Sequence, residues 1–286
     1  MTTDPTAPYG ALAPGRLDRA VIGLTTRLPA NWLGLRLAIL LRRVVTMRLA
    51  KGALDVERWG LRVRLHPLDN GCEKNLLFTP QMFDPIERAA LAAEIARVQN
   101  RPFVFIDIGA NVGLYSLFVA ARAGSNARIL AVEPEPGNFA RLGFNLAANP
   151  GLPITPLPLA LGAAAGEVAI ALNRRDRGGC RTRPLGGSEA GVVTRVPCLP
   201  LLQLLHERGI DAIDAVKIDV EGAEDGVLAP FLREAPASMW PRLIVIEDSR
   251  HEWSIDLFAM LAARGYAKTA RSRHNVVLRR DGPSRG

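Results

Sequence analysis

From about residue 102 onward, short apolar runs rich in β-branched residues alternate with longer stretches of helical periodicity. Strands that alternate with helices at this spacing form βαβ crossovers and build a parallel sheet that is covered by helices on both faces. The chain is therefore expected to fold as an α/β protein. The pattern predicts strands at 103–108, 128–132, 154–160, 192–196, 215–218 and 243–247, helices at 114–123, 136–148, 199–208, 223–233 and 254–264, and a closing hairpin at 266–270 and 275–279.

The charge of the chain is concentrated at its two ends. The 286 residues include 36 Lys and Arg and 28 Asp and Glu, a formal charge of +8. Residues 1–66 hold eleven basic and four acidic side chains, and residues 264–286 hold seven basic and one acidic. The mildly acidic body between them argues against a protein that binds polyanions through its core. We predict a basic leader and helical arm at 1–66 and a ligand-binding domain at 67–286.

The N-terminal segment is predicted to contain a disordered leader, 1–15, and a helix at 31–49 that begins after Pro29. The arginines of residues 16–50 leave two interpretations open. One is peripheral contact with an anionic membrane surface; the other is a helix that packs on the protein while its Arg stems reach water. The apolar run at 37–41 is far shorter than the ~20 residues of a membrane-spanning helix.

The three cysteines, Cys72, Cys180 and Cys198, show neither metal-ligand spacing nor an even number for disulfide pairing. A signal-peptide pattern is absent from the first thirty residues. These features predict a reducing compartment and a cytoplasmic protein, with peripheral membrane contact as the alternative location.

The segment FVFIDIGANVGLYSLFVA (103–120) predicts a ligand-binding loop between a strand and a helix. Gly109 and Gly113 allow a sharp turn and a close approach of the backbone to a ligand, and the turn would present N–H groups at the helix start. Asn111 stands where the dinucleotide fingerprint has its second glycine. The Asp107 carboxylate would repel a diphosphate but would suit an ammonium group.

Glu133 follows the next predicted strand, 20 residues after Gly113. An acidic side chain at the tip of the second strand is typical of a carboxylate that accepts hydrogen bonds from both ribose hydroxyls. The loop and this residue together predict a nucleoside cofactor, with NAD and S-adenosylmethionine as the two candidates.

The segment KIDVEGAE (217–224) places carboxylates at the end of a later strand. The ends of parallel strands face the ligand crevice, so Asp219 is the leading candidate for the chemistry. Lys217 lies two residues earlier on the same face, which favours a pairing with Asp219 or Glu221. For Glu221 and Glu224, a helix-capping role is the alternative to a catalytic one.

The stretch 173–191 is polar, rich in Gly and Arg, and has no hydrophobic period, which predicts a loop. A lid over the site and a tolerated insertion are both open. Its arginines would suit a phosphorylated or carboxylated acceptor: Arg174, Arg175, Arg177, Arg181 and Arg183.

Taken together, five segments resemble the FkbM family of S-adenosylmethionine-dependent methyltransferases: IDIGANVGLYS (106–116), AVEPEPGNFARLGFNLAAN (131–149), PLALGAAAGEVAIAL (158–172), KIDVEGAEDGVL (217–228) and LIVIED (243–248). The resemblance implies a class I methyltransferase fold, Rossmann-like with a seven-stranded sheet, here preceded by an N-terminal helical extension. It implies methyl transfer, usually to an oxygen of a small molecule, a sugar or a lipid-linked acceptor.

The resemblance also implies roles for individual residues. Asp107, Gly109, Asn111 and Gly113 would hold the amino-acid part of S-adenosylmethionine, and Glu133 would hold its ribose. The adenine would contact the segment 160–162.

Methyl transfer to a hydroxyl needs a base, and Asp219, with Glu221 beside it, is placed for that role. His251 and His274 are alternative bases. In another variant, Asp219 with Glu247 and Asp248 would bind a divalent ion that polarises the acceptor.

Two other functions stay open on the sequence alone: an NAD-dependent oxidoreductase, and a non-catalytic, membrane-associated protein that binds the cofactor. A nucleic-acid substrate is not expected, because the segment 220–222 contains no aromatic side chain on which a base would stack.

Overall fold

The structure, a computed structural model, describes residues 7–49, 52–171, 181–183 and 193–281. The chain divides into two compact units. Of the described residues, the first unit comprises 7–49, 52–85 and 147–150, and the second comprises 86–146, 151–171, 181–183 and 193–281. The boundary that the charge pattern predicts after residue 66 stays a prediction.

The first unit contains, in chain order, α1 (Arg16–Thr25), α2 (Trp32–Arg48), the antiparallel strands β1 (Leu54–Arg58) and β2 (Leu61–Leu65), and α3 (Gly71–Phe78). Helix α2 begins as predicted, because the Asn31 side chain accepts a hydrogen bond from the Gly34 N–H at 2.9 Å and caps the helix. The hairpin β1–β2 and helix α3 were not predicted.

The prediction that residues 1–15 form a disordered leader is wrong for the part that the structure describes. The Gly10 and Leu12 N–H groups donate to Asp55 Oδ2 at 2.8 and 3.1 Å. Asp55 is buried and paired with Arg64 on the neighbouring strand, with Nε to Oδ1 at 2.7 Å. A buried carboxylate needs several donors, and the leader backbone supplies two of them.

The second unit contains a larger set of elements: α4 (Pro85–Ile95), β3 (Phe103–Ile108), α5 (Leu114–Ala123), β4 (Ala127–Val132), α6 (Pro136–Ala147), β5 (Ile154–Leu157), β6 (Ala160–Leu161), β7 (Gly166–Ala171), β8 (Arg181–Arg183), β9 (Val193–Leu199), α7 (Leu201–Glu207), β10 (Ala215–Ile218), α8 (Glu224–Glu234), β11 (Leu243–Glu247), α9 (Leu257–Ala262), β12 (Tyr266–Arg271) and β13 (Asn275–Arg280). The predicted helices are confirmed, with ends that differ by up to three residues.

The main sheet has seven strands in the order β12-β13-β11-β10-β3-β4-β5. Strands β11, β10, β3, β4 and β5 are parallel, and the antiparallel hairpin β12–β13 lies at one edge, as predicted. The chain runs outward from β3 through β4 to β5 and then returns to add β10 on the other side of β3. The strand order therefore reverses between β3 and β10, which is where open α/β sheets bind ligands.

Both faces of this sheet are covered. Ile106, Ile218 and Ile246 point into a core that contains apolar side chains of α7, α8 and α9. The alternate residues Phe105 and Val245 are also fully buried. Burial on both faces of neighbouring parallel strands confirms the α/β architecture, and each fully buried aliphatic side chain contributes about 1.5–3 kcal/mol of transfer free energy.

The predicted strand 154–160 is two separate strands. Strand β5 extends the main sheet, whereas β6 pairs with β9 in a four-stranded sheet of order β6-β9-β7-β8. The predicted loop 173–191 is interrupted by β8, which pairs with β7. The rest of that loop, including Arg174, Arg175 and Arg177, lies outside the described residues.

In the part of the chain that the structure describes, none of the helices combines the length and apolar character that crossing a bilayer requires.

Candidate active site

The C-terminal ends of β3 and β10 bring two of the predicted site residues to one place. The strands are parallel neighbours, and their register pairs Asp107 with Lys217 and Ile108 with Ile218. The Asp219 N–H donates to the Ile108 carbonyl oxygen at 3.0 Å, which continues the pairing past the last strand residue. The Asp107 and Asp219 carboxylates therefore lie at the point where the strand order reverses.

Gly109 has no side chain because the backbone after β10 occupies the space that one would need. A Cβ at this position would overlap the Asp219 carbonyl oxygen, and the residue has φ +76°. Gly113 has φ +85° at the N-terminus of α5, where a Cβ would lie 2.5 Å from Leu142 Cδ1. Asn111 between them adopts φ 53°, a left-handed conformation that Asn tolerates better than most residues.

The N–H groups of this loop are used inside the protein. Gly109 and Ala110 both donate to the Val132 carbonyl oxygen, at 3.0 and 2.9 Å, and Gly113 donates to Ala110. The Asn111 N–H donates to Glu133 Oε2 at 2.7 Å. The expectation that these groups face a ligand therefore fails for the four residues. What they offer a ligand is close approach to the backbone.

Asp107 is buried, and one of its oxygens is free for a ligand. Its Oδ2 accepts hydrogen bonds from the Ser116 N–H and Oγ–H at 3.0 and 2.6 Å, so this oxygen fixes the first turn of α5. Its Oδ1 is buried and takes no hydrogen bond from any described residue. Burial raises the pKa of Asp107, against the opposing effect of the Lys217 charge.

Glu133 follows β4, and its carboxylate is buried against two backbone N–H groups. Its Oε1 accepts from the Glu135 N–H at 2.8 Å, and its Oε2 accepts from Asn111. Burial raises the pKa of Glu133 to about 7 although both hydrogen bonds favour the charged form. A carboxylate has about four acceptor positions, so these two bonds leave room for ribose hydroxyls.

Lys217 and Asp219 form an ion pair, as their spacing predicts. Lys217 Nζ lies 2.7 Å from Asp219 Oδ2, and the Lys217 side chain is 6% exposed whereas that of Asp219 is 34% exposed. Lys217 Nζ also lies 5.2 Å from the centroid of the Tyr115 ring. The pair presents a partly open carboxylate that is held in position from the buried side.

Glu221 and Glu224 have different roles. Glu224 is buried, and its Oε1 accepts from the Val220 and Gly222 N–H groups at 3.0 and 3.2 Å, so it holds the turn before α8; the helix itself has no side-chain cap at Ala223, and the capping role stays a prediction. Glu221 is only half-buried and adopts φ 56°. A glutamate in this left-handed region costs about 1–2 kcal/mol, and such residues cluster at functional turns.

Glu247, at the end of β11, completes a group of carboxylates beside Asp219. Burial, followed by the negative charges of Asp219, Glu221 and Glu224, raises the pKa of Glu247 to about 8. The raised pKa favours the protonated form of Glu247. The Ser249 Oγ–H lies 3.1 Å from Glu247 Oε2 and donates to it.

Asp248, one of the predicted metal ligands, binds arginine side chains with both of its carboxylate oxygens. Its two oxygens accept from Arg250 Nε and Nη2 at 2.7 and 2.6 Å, and Arg271 Nη2 lies 2.9 Å from Oδ2. Among the described residues, no group of three or more His, Cys, Asp or Glu side chains is arranged to hold a metal ion. His251 and His274, the alternative bases, are exposed.

Comparison with known proteins assigns a family to this arrangement. The family model described as the Methyltransferase FkbM domain matches residues 107–267, which is more than half of the chain and includes the predicted cofactor-binding residues, Asp219 and Glu221. The chain belongs to the FkbM methyltransferase family. It is an S-adenosylmethionine-dependent methyltransferase. Of the two cofactors that the sequence alone left open, the family assignment therefore selects S-adenosylmethionine over NAD.

One curated relative and two solved structures give the range of similarity. Methyltransferase sdnD from Sordaria araneosa is 29% identical, and the match covers 60% of this chain and 84% of that protein. Human methyltransferase 10 domain containing protein has a TM-score of 0.46 at 15% identity and covers 91% of this chain and 94% of its own. Precorrin-6y C5,15-methyltransferase from Geobacter metallireducens has a TM-score of 0.37 at 17% identity, with coverage of 72% and 89%.

Sequence reasoning missed two residues that hold the loop at 109–113 in place. Ser116 bridges from the first turn of α5 to Asp107. Asn145 is buried on α6, and its Nδ2 donates to the Val112 carbonyl oxygen at 3.1 Å. Ser116 is a polar side chain inside a largely apolar helical segment, and that contrast was the signal available in the sequence. Asn145 lies on a helix with other polar residues, so no such contrast marks it.

Proposed function

We propose that this FkbM methyltransferase methylates a hydroxyl oxygen of a small molecule, a sugar or a lipid-linked acceptor, with Asp219 as the base. The observation that carries the proposal is the state of the Asp219 carboxylate. Its Oδ2 is held by Lys217, its side chain is 34% exposed, and its Oδ1 takes no hydrogen bond from any described residue. An accessible, oriented oxygen at the crevice is what proton removal from a hydroxyl requires.

The residues around Asp219 support this role. Lys217 fixes the orientation of the Asp219 carboxylate, so less side-chain entropy is lost when Asp219 engages the acceptor. We assign Glu221 a position beside the acceptor, on the strained turn between Asp219 and α8.

The crevice also fits S-adenosylmethionine. Asp107 Oδ1 is a buried acceptor that lacks a donor among the described residues, and the ammonium group of the cofactor is a suitable one. Gly109, Asn111 and Gly113 would lie against its amino-acid part, and Glu133 would accept from its ribose. When bound, the cofactor supplies an electrophilic methyl group on a sulfonium sulfur.

Isothermal titration tests the cofactor assignment. We expect the full chain to bind S-adenosylmethionine and to show no heat of binding with NAD at the same concentrations. Asp107→Asn should weaken binding by at least about tenfold, because it removes the charge that faces the ammonium group. Absence of S-adenosylmethionine binding by the wild-type chain would refute the assignment of the cofactor.

The base is tested with Asp219→Asn. We expect the rate of methyl transfer to fall by about 10²- to 10⁴-fold while the affinity for S-adenosylmethionine stays within about threefold. The assay follows a labelled methyl group from the cofactor into small-molecule and lipid fractions of a cell extract, with mass spectrometry to locate the labelled atom. Label on nitrogen, carbon or sulfur would exclude O-methylation.

The matched control is Asp211→Asn, which changes an exposed aspartate shortly before β10 in the same way. Its methyl-transfer rate should equal that of the wild type. An unchanged rate in the Asp219→Asn variant would refute the assignment of the base.

We also propose a cytoplasmic location and an acceptor other than nucleic acid. Neither Cys72 nor Cys198 forms a disulfide within the described part of the chain, which supports a reducing compartment. The turn at 220–222 carries no aromatic side chain for stacking a base, which supports a non-nucleic-acid acceptor.

A further inference from the structure

Helix α2 has two apolar faces, and among the described residues only one of them has packing partners. Gly34, Ala38 and Val45 are buried and form the face that packs within the first unit, where α1 is a neighbour. The apolar side chains at positions i, i+4, i+7, i+11 and i+14 form a second stripe, which is exposed along the length of the helix: Leu33, Leu37, Leu40, Val44 and Met47.

The apolar side chains along this helix are highly exposed to solvent. Leu40 is 59% exposed and Met47 is 86% exposed, and Trp32 at the start of the helix is 74% exposed. Isolated exposed apolar residues are common on protein surfaces, but a contiguous row of them marks an interaction surface. The stripe needs a partner that covers five apolar side chains in a line.

The charges beside the stripe indicate which partner this is. At 100° per residue, Arg36 and Arg43 lie roughly 60–80° to one side of the stripe centre, and Arg48 lies roughly 60° to the other. All three are exposed. Residues 16–49 contain seven arginines and a single acidic residue, Asp18. An apolar row flanked by arginines is complementary to an anionic bilayer surface. The apolar side chains would contact the acyl chains, and the guanidinium groups would bind the anionic headgroups.

The stripe is held in a fixed orientation within the first unit. The Asn31 cap fixes the start of α2. Gln81 Nε2 donates to the carbonyl oxygens of Thr25 and Leu28, at 3.0 and 2.9 Å, and so fastens the end of α1 and the connection to α2. A preformed surface does not have to order on binding, which favours association.

We propose that α2 is a peripheral membrane-binding helix that lies in the interface of an anionic bilayer, with Leu33, Leu40 and Met47 among the acyl chains and Arg36, Arg43 and Arg48 at the headgroups. This inference is independent of which acceptor is methylated.

Co-sedimentation of the full chain with vesicles tests the proposal. We expect binding to vesicles of phosphatidylglycerol and phosphatidylcholine, little binding to pure phosphatidylcholine, and weaker binding as salt is raised. Leu40→Glu combined with Val44→Glu, and separately Arg36→Gln combined with Arg43→Gln, should each lower the partition coefficient by about tenfold or more.

The matched control is Leu68→Glu, which places the same charge on an exposed leucine outside α2. It should bind vesicles as the wild type does, and all variants should retain S-adenosylmethionine binding as a check on folding. Equal vesicle binding by the wild type and both α2 variants, or no binding to anionic vesicles, would overturn the proposal.

A second measurement does not depend on variants of the stripe. Brominated lipids quench tryptophan fluorescence near the acyl chains, so the signal lost in Trp32→Phe should be the quenched part of the wild-type spectrum. If Trp32 is not quenched, and sedimentation velocity shows a dimer that Leu40→Glu dissociates, then a second copy of the chain covers the stripe and the membrane proposal is wrong.

Discussion

At the scale of single residues, the crevice is organised around one buried cation. Lys217 forms an ion pair with Asp219, its charge opposes the raised pKa of Asp107, and it lies over the Tyr115 ring. A buried ammonium group is stable only when it is paired, and here two carboxylates of different exposure share that role. The buried one, Asp107, also orients the loop, whereas the half-buried one, Asp219, is the residue that we propose as the base.

A substitution at Gly109 should disrupt this arrangement. In Gly109→Ala, the added Cβ would overlap the Asp219 carbonyl oxygen, and φ +76° is strained for alanine. We expect the free energy of unfolding to fall by about 1–3 kcal/mol and methyl transfer to fall with it, because the backbone that carries Asp219 must move. Urea unfolding and the assay with a labelled methyl group measure the two effects.

Gly143→Ala is the matched control, since Gly143 lies in α6 with open space where a Cβ would be. Helix propensity predicts that this variant is up to about 1 kcal/mol more stable than the wild type. Equal stability of the two glycine variants would contradict the close approach seen at Gly109.

At the scale of elements, the connection from β10 to α8 is shaped by Glu224. Its Oε1 accepts from two N–H groups of the turn, and its Oε2 accepts from Trp253 Nε1 at 2.7 Å. The next residue, Asp225, accepts from the N–H and Oγ–H of Ser254 at 2.8 and 2.6 Å. These bonds tie the turn that carries Asp219 and Glu221 to the segment that follows β11.

Removing the Glu224 carboxylate should loosen this connection. In Glu224→Ala, two backbone N–H groups and the Trp253 ring N–H lose a charged acceptor. We expect the free energy of unfolding to fall by about 2–4 kcal/mol. Glu234→Ala, at the exposed end of the same helix, should change it by less than about 0.5 kcal/mol. Similar losses in the two variants would argue against the role of Glu224 in holding this turn.

At the scale of the whole molecule, burial of carboxyl groups sets the pH dependence of stability. Burial raises the pKa of Glu133 to about 7 and that of Glu247 to about 8, and it raises the pKa values of Asp107 and Glu94 as well. For Asp55, the hydrogen bonds from Arg64, Leu12 and Gly10 outweigh burial and lower the pKa. The carboxyl groups with a raised pKa lower the free energy of unfolding as pH rises above about 4.5. Asp55, with a lowered pKa, lowers the free energy of unfolding as pH falls below about 4.

The sign of the effect follows from proton counting. Above about pH 4.5, the folded chain retains protons that the unfolded chain has lost, on Glu133 up to about pH 7 and on Glu247 up to about pH 8. The free energy of unfolding should therefore fall as pH rises through this window. Urea unfolding at pH 5, 6, 7 and 8 measures the slope, which should be shallower in Glu247→Gln because that side chain no longer titrates. A slope that is flat in the wild type, or identical in the variant, would contradict the raised pKa of Glu247.

The sequence by itself determined the features that depend on neighbours along the chain. Alternating apolar runs predicted the parallel sheet and its edge hairpin, and the strand-end positions of Asp107, Glu133 and Asp219 predicted that they would meet at the crevice. The two-residue spacing predicted that Lys217 pairs with Asp219 or Glu221, and the structure shows the pair with Asp219.

The tertiary structure alone decided what each group contacts across the fold. It uses the N–H groups of the glycine loop for Val132 and Glu133, assigns residues 160–161 to a second sheet, and holds residues 10–12 through Asp55. It also leaves a leucine stripe of α2 exposed. Local pattern sets which conformation a segment favours, but the partner of a buried donor, carboxylate or apolar face is set by residues that are distant in the chain and become neighbours only on folding.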